Sequence, residues 1–525
     1  MRDLLRTRAV KARRATMLHG EPVGRPSTTL HVMGLALVFI ALGMGGCALI
    51  ELASTNRDSG ALALGALISG SVGVLLWWRT REGSTRNRDV FAAVGWTWLT
   101  MTLFGAVPYL LAGTFATSGV GFAEQLVNSI FESTSGFTTT GATVLADFER
   151  PGRGLMMYRQ LSQWYGGMGI VVLAVTVLPY LGVGGLDLIS AEAPGHSSDR
   201  LAPRVSETAR RLWAIYVLFT LVIAALLFLA PGPSLYDSLA HALTTAATGG
   251  FSPYANSIGH FNSVLVELVV IAGMLYGGVN FALHWRAGRG DFGAYLRDPE
   301  FRTYALILTS AATAVIAVLW LSEPLGGTDA IRAGLFNVVS FGTSSGFGIA
   351  TGADSPGNYV LWAPAAQMVI LFLFVVGACA GSTSGGMTIM RMRVLFGHLI
   401  RSVRRSQQPR AVVAVKHGGV AVPEDVVSRM AGFFLFYVLL ICTGTVALTM
   451  LGAELETSIG SIFSMLGNMG PALGEAGPAN SYADAFSQPA RLLLAMFMLI
   501  GRLEIFPMLL MFAAPYRALS DALRR

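Results

Sequence analysis

Charged residues are the scarcest class in this sequence. Asp, Glu, Lys and Arg make up 13% of its 525 residues, where an ordinary soluble domain carries roughly 25%. With 53% hydrophobic residues and a mean hydropathy of +0.58, a soluble fold is excluded. Apolar runs of about 20 residues, enough for a helix to cross hydrocarbon, recur along the chain. Lysine is nearly missing, with only Lys11 and Lys416, so arginine carries the positive charge. The net charge of +7 is spread over alternate loops; this is positive-inside patterning and not a nucleic-acid surface. Cys47, Cys379 and Cys442 lie far apart in apolar runs, show no metal-ligand spacing and read as buried free thiols. There is no H-E-x-x-H and no G-x-x-x-x-G-K-[ST], and no serine inside a span has a paired His or Asp base. An intramembrane enzyme therefore lacks its machinery, and the chain has no nucleotide motif of its own. The first 28 residues are basic and polar and lead into a full-length span, so no cleavable signal is expected.

What is present is a recurring turn. Phe131–Val144, FESTSGFTTTGATV, lies between two apolar runs and carries three threonines before a glycine. Looser versions are TTAATGGFSP at Thr244–Pro253, FGTSSGFGIA at Phe341–Ala350 and MLGNMGPALG at Met465–Gly474. The first follows an amphipathic stretch, about Gly121 to Gly136, too short to cross a membrane, which fits a re-entrant half-helix better than a span. Each interval between the turns has room for two spans and one half-helix.

The expected fold class is an all-α polytopic membrane protein with ten transmembrane helices. A basic arm (1–29) and two leading spans (30–88) precede four units of span, half-helix and returning span, at 89–183, 212–290, 304–400 and 428–525. The arginine clusters, among them Arg200 to Arg211, Arg286 to Arg302 and Arg391 to Arg410, lie in or directly before the cytoplasmic loops at 184–211, 291–303 and 401–427. The segments carrying the second and fourth turns contain no Lys or Arg between Pro231 and Asn262 or between Ala453 and Pro489. All four turns thus enter from outside, and both termini lie in the cytoplasm.

A dehydrated cation needs replacement oxygens, and rings of backbone carbonyls supply them in potassium-type filters. Aiming successive carbonyls at one axis calls for angles that glycine reaches without a Cβ clash. A half-helix pointing its C-terminus at the pore adds a favourable partial negative charge. The competing explanation is close helix packing by small residues; four turns in the same place of four units weigh against it. A secondary transporter with broken helices is the other competitor, but it predicts turns from both sides of the membrane.

The chain resembles the membrane subunit of the Trk potassium-uptake system, in the Trk/Ktr/HKT superfamily. The matching stretches are FESTSGFTTTGATVL, YRQLSQWYGGMGIVVLAVTVLP, ATGGFS, YLRDPEFR, GACAGSTSGGM, GNMGPALG and IGRLEIFP, from about Asp89 to Pro515. The resemblance carries the family's four filter glycines over to Gly141, Gly250, Gly346 and Gly470. With Thr138, Thr139, Thr140, Thr248, Gly249, Ser344, Ser345, Asn468 and Met469 before them, they make up the expected potassium-binding filter. Glycine at all four positions implies potassium, whereas serine in the first turn goes with sodium preference in some plant relatives.

In the third unit the returning span contains Gly377-Ala378-Cys379-Ala380-Gly381-Ser382-Thr383-Ser384-Gly385-Gly386. Such residues are poor helix material, and the helix should break there; the competing explanation is a kink for close packing. The resemblance implies an intramembrane gating loop below the filter. Ser384 stands where the family has glycine and Thr388 where it has lysine, which bears on the loop's stiffness. Arg502, inside the last span, is costly unless it faces a cavity or partner. The resemblance makes it an electrostatic barrier beneath the filter, with a structural salt bridge as the competing role. Glu132 on the first half-helix either shapes the outer vestibule or supports hydrogen bonding, and His241 and His284 read as packing or hydrogen-bonding residues. The run Arg401–Arg410 fits a docking surface for a partner or for anionic lipid equally well.

The implied function is potassium uptake across a bacterial inner membrane, with K+ as transported ion and no cofactor bound by this chain. The resemblance implies a homodimer in membrane lipid, working with a cytoplasmic TrkA-type nucleotide-binding regulatory ring that would carry any NAD or ATP/ADP control. No nucleic-acid partner is expected.

Overall fold

The computed structural model describes residues 25–54, 56–81, 87–116, 119–176, 201–322, 327–478 and 480–503. The basic arm before residue 25, the segment 177–200 and the C-terminal stretch from 504, including Glu504, lie outside the described residues.

The apolar runs form helices. α1 (Thr28–Ala53) and α2 (Ser59–Arg79) make a leading hairpin whose ends are joined by a short parallel pairing of Arg25–Pro26 with Thr80–Arg81. A long–short–long succession follows. α3 (Asn87–Gly105), extended past a break by Val107–Leu111, leads to the short α4 (Phe122–Phe137) and then α5 (Arg153–Thr176). α6 (Leu201–Leu229) leads to α7 (Leu235–Ala246), α8 (Val264–Gly277) and α9 (Phe281–Ala287). α10 (Pro299–Ser322) leads to α11 (Gly327–Gly342), α12 (Pro364–Val375) and, after an irregular stretch, α13 (Ile389–Gln407). α14 (Glu424–Met450), α15 (Leu455–Gly467) and α16 (Gln488–Leu503) close the order. The short helices α4, α7, α11 and α15 have 16, 12, 16 and 13 residues, less than the ~20 a span requires.

Among the described residues, six helices are long and apolar enough to cross a bilayer, or seven if α8 and α9 count as one bent span. Their outward faces expose large apolar side chains such as Leu42, Leu218 and Leu435, at 70, 63 and 72%; exposure on that scale needs lipid, not water. Two apolar cores form behind them. One joins α6 through α12, and the other joins the leading hairpin to α3–α5 and α14–α16.

The leading hairpin is fastened by carboxylates. Glu51, fully buried, accepts the amide of Gly154 at 2.5 Å, and Asp58 accepts that of Gly152 at 2.7 Å. Both act at the N-terminal end of α5, where unpaired N–H groups favour negative charge.

Two expectations need correction. The returning span expected in the unit 212–290 is broken: α8 and α9 meet at 102°. The carbonyls of Gly277 and Gly278 are taken by the amides of Thr383 (3.3 Å) and Cys379 (3.0 Å), and Asn280 caps the new helix through Ala282 at 2.9 Å. Cys442 is exposed, unlike Cys47 and Cys379. It shares the outer face of α14 with Leu435, Leu439 and Val446, and an outward apolar face carries a thiol as readily as a core does.

Beyond the bent span, Asp291 accepts from Arg286 at 2.9 Å and also pairs with Arg297. These guanidinium groups hold its carboxyl below the usual range.

Candidate functional site

Each short helix ends in the same way. A non-glycine residue turns left-handed and a glycine two positions later does so again. The pairs are Thr139 (φ 53°) with Gly141 (88°), Thr248 (49°) with Gly250 (78°), Ser344 (52°) with Gly346 (77°), and Asn468 (51°) with Gly470 (94°). The residue between each pair donates its amide to the carbonyl five positions back. These bonds are Thr140 to Ser135 (2.9 Å), Gly249 to Thr244 (2.9 Å), Ser345 to Ser340 (2.8 Å) and Met469 to Ser464 (2.9 Å). Left-handed geometry costs a non-glycine residue on the order of 1–3 kcal/mol and is tolerated where the surroundings over-determine it. The glycine positions were legible from sequence. That Thr139, Thr248, Ser344 and Asn468 before them also turn left-handed was not.

The four turns close a ring. A Cβ on Gly141 would collide with the carbonyl oxygen of Gly249, one on Gly250 with that of Ser345, and one on Gly346 with that of Met469; one on Gly470 would meet that of Thr140 at 2.7 Å. Each glycine therefore packs against the carbonyl just before the next glycine, and the fourth returns to the first. Chain order is spatial order around one axis.

The four sectors are braced in two ways. In the first, Thr138 and Thr140 pair their hydroxyls at 2.7 Å; in the third, Thr343 and Ser345 do so at 2.8 Å. The second and fourth have no such pair and use amide side chains instead. Gln163 of α5 donates to Gly249 O at 2.6 Å and accepts from Phe251 N at 3.0 Å. Asn468 donates to Thr140 Oγ1 and to Met498 O, each at 2.9 Å. Gln163 lies in one of the motifs quoted above, but nothing in its local sequence marked it as a brace.

On one side of the ring a cavity of about 270 Å³ is lined by Gly141, Gly250 and Gly346 together with Thr143, Phe148 and Arg159. Arg159 is 2% exposed, pairs with Glu132 at 2.6 Å and stacks 3.5 Å from the Phe251 ring centroid. Glu132 also accepts from Thr143 Oγ1 (2.9 Å) and Val144 N (3.0 Å), so it supports the strand of backbone leaving the first turn. Paired in this way, the arginine presents little net charge at the cavity.

On the other side of the ring lies the irregular stretch between α12 and α13. Thr383 Oγ1 receives a bond from Thr248 Oγ1 at 3.2 Å, and Ser344 Oγ binds Ser384 Oγ at 2.9 Å and accepts from Gly385 N at 2.6 Å. Ser384 also donates to Thr343 O at 2.5 Å. The stretch thus sits directly against the left-handed residues of the second and third sectors, and Gly385 packs on Asn468 of the fourth. Gly381 O accepts from Phe281 N at 3.1 Å, which adds α9 to its supports. Its own ends are pinned together, with Gly377 N on Met387 O at 2.9 Å and Ile389 N on Ala378 O at 3.1 Å. A helix break occurs where the glycine and serine content predicted one.

Arg502, 2% exposed, donates to Thr383 O at 2.9 Å and to Gly166 O at 3.3 Å. Both acceptors are backbone carbonyls, and it has no salt bridge among the described residues. It therefore places a positive charge next to the irregular stretch. His241 bonds Asp237 O and Ser252 Oγ at 2.8 and 3.0 Å, and His284 bonds Tyr295 Oη and Tyr276 O at 2.8 and 2.9 Å; both act as hydrogen-bonding residues. No cluster of three or more metal-ligating side chains occurs among the described residues.

Apolar spans around a ring of buried turns define the class: a polytopic membrane transport protein. TrkH, described as a cation transport protein, matches residues 59–521. The Trk system potassium uptake protein TrkH of Halomonas elongata is 37% identical over 493 residues, covering 93% of this chain and 98% of the relative. That of Escherichia coli K12 is 34% identical over 497 residues, covering 92% and 98%. Among solved structures, the crystal structure of the potassium transporter TrkH from Vibrio parahaemolyticus matches with a TM-score of 0.81 and 32% identity, over 91% of this chain and 97% of that one. The chain belongs to the TrkH family of cation transport proteins and is a transporter, not an enzyme.

Proposed function

We propose that this protein takes up potassium across the bacterial inner membrane through a four-sector filter. The observation that carries the reading is the closed ring of left-handed glycines, each against its neighbour's carbonyl. A ring of that kind is suited to replace the hydration shell of a bare monovalent cation with backbone oxygens. The choice of potassium follows from glycine at Gly141, Gly250, Gly346 and Gly470 and from the potassium uptake named in the relatives. Thr138, Thr139, Thr140, Thr248, Gly249, Ser344, Ser345, Asn468 and Met469 complete the filter. Their hydroxyls and amides hold its shape more than they supply ligands.

The architecture in this reading is ten transmembrane helices, with four pseudo-repeats behind two leading spans and both termini in the cytoplasm. Gly377–Gly386 is the gate, closing the route beneath the filter, and Arg502 both latches it and repels cations. A homodimer operates with a cytoplasmic nucleotide-binding ring, on which NAD or ATP/ADP acts. Membrane potential drives entry. The test is rubidium or potassium uptake, with sodium competition, in cells stripped of their own uptake systems and supplied with the partner ring. Growth rescue at low potassium is expected; failure to rescue overturns the potassium reading.

A further inference from the structure

The motif YLRDPEFR, Tyr295–Arg302, has no task in the filter or at Arg502. Asp298 caps α10 by accepting Phe301 N at 2.8 Å, the ordinary use of an acidic residue at a helix start. Glu300 does something different. It is 5% exposed, and its Oε1 accepts the amide of Ala380 at 2.8 Å and that of Met390 at 2.9 Å. Ala380 is in the middle of the intramembrane stretch, and Met390 is in the first turn of α13. One oxygen thus holds two segments that are ten residues apart in sequence.

The burial makes this bond informative. A carboxyl taken out of water is costly unless hydrogen bonds offset the loss. Glu300 also meets the N-terminus of α13, where unpaired amides and the helix dipole favour an acidic group. α10 grips α13 a second time, through Arg393 donating to Thr303 Oγ1. Three residues beyond Ala380, Arg502 holds Thr383 O. The stretch is therefore held by a cation of α16 and by an acid of α10. Only the acid also touches α13, whose far end carries exposed Arg404 and Arg405.

We infer that Glu300 is a positioning residue that fastens the intramembrane stretch to the first turn of α13, so that a displacement of α13 on the cytoplasmic side is transmitted to that stretch. The inference rests on the reading of Gly377–Gly386 as the gate. It adds the mechanical link by which a grip on α13 would reach it.

The chain carries its own reporter. Cys379, beside Ala380, is 2% exposed, and with Cys47→Ala and Cys442→Ser it is the one thiol left. In reconstituted full-length protein, the labelling rate of Cys379 by a cationic methanethiosulfonate and the rubidium flux are measured together. Glu300→Ala is expected to raise both about tenfold, the scale of losing one or two hydrogen bonds to an acidic group. Glu300→Gln keeps an oxygen acceptor in place and is expected to stay within about threefold of the parent. If Glu300→Ala is not recovered folded, Glu300→Met, which fills similar volume without an acceptor, replaces it. Unchanged labelling and flux in a folded acceptor-less variant, while Arg502→Ala still raises flux, overturn the fastening and leave the gate reading standing. Raised labelling with unchanged flux overturns the gate reading, and the transmission with it.

Discussion

Two stretches of irregular backbone meet at the centre of this protein, and they are held differently. Each turn of the glycine ring is tied mainly to its own helix, by an amide reaching back five residues and by a glycine at a fixed left-handed angle. The stretch 377–386 depends on others: turns of the second and third sectors, the carbonyls of Gly277 and Gly278, Glu300 of α10 and Arg502 of α16. Local bonds make a shape that survives movement of its neighbours. Bonds to several separate elements make a shape that is lost when those elements move. Irregular backbone in a membrane must be satisfied in either case; the second arrangement is the one that suits the gate proposed above.

The comparison can be broken by substitution. The largest effect is expected at Gly346→Ala. Its Cβ would enter the Met469 carbonyl at a φ of 77°, and overpacking plus the left-handed penalty should lower uptake about hundredfold, read as rubidium flux at equal protein. Arg502→Ala removes two bonds from a cation and should raise flux about tenfold while leaving the rubidium-to-sodium ratio unchanged. A changed ratio would mean that loop and filter are one body. Gly141→Ser should do the opposite, shifting selectivity toward sodium on the order of tenfold with no gain in open flux. Glu132→Gln strands the buried Arg159, and about 3 kcal/mol of stability should be lost, seen as a lower unfolding midpoint in detergent. Ser384→Gly deletes the bonds to Thr343 O and Ser344 Oγ. That should loosen the loop enough for a threefold to fivefold rise in flux, roughly one hydrogen bond's worth.

The parts legible in the sequence are those that local chemistry dictates. Short amphipathic helices, glycines after threonines and a Gly/Ser interruption at 377–386 are visible because each violates what a continuous span needs. What was hidden depends on distant partners. Gly277 and Gly278 lie in an apolar run, and only the loop amides that reach their carbonyls make them a break. Gln163 is an ordinary helix residue until Gly249 is brought to it from 86 positions away. Arg159 and Glu132 were two isolated charges 27 residues apart. Cys442 was misjudged because, in a membrane, an apolar neighbourhood in sequence does not separate lipid from core.

The head-to-tail packing of the glycine ring gives it a direction. Added bulk at one sector strikes the carbonyl of the following sector and not its own. Second-site suppressors of a filter substitution should therefore be sought one step ahead in chain order: around Gly249 for Gly141, around Ser345 for Gly250, around Met469 for Gly346 and around Thr140 for Gly470. Four copies of a turn that began alike would then have diverged under a cyclic constraint, each adapting to the copy behind it. A compensating pair in this ring would lie hundreds of residues apart only where the circle closes, between the fourth sector and the first.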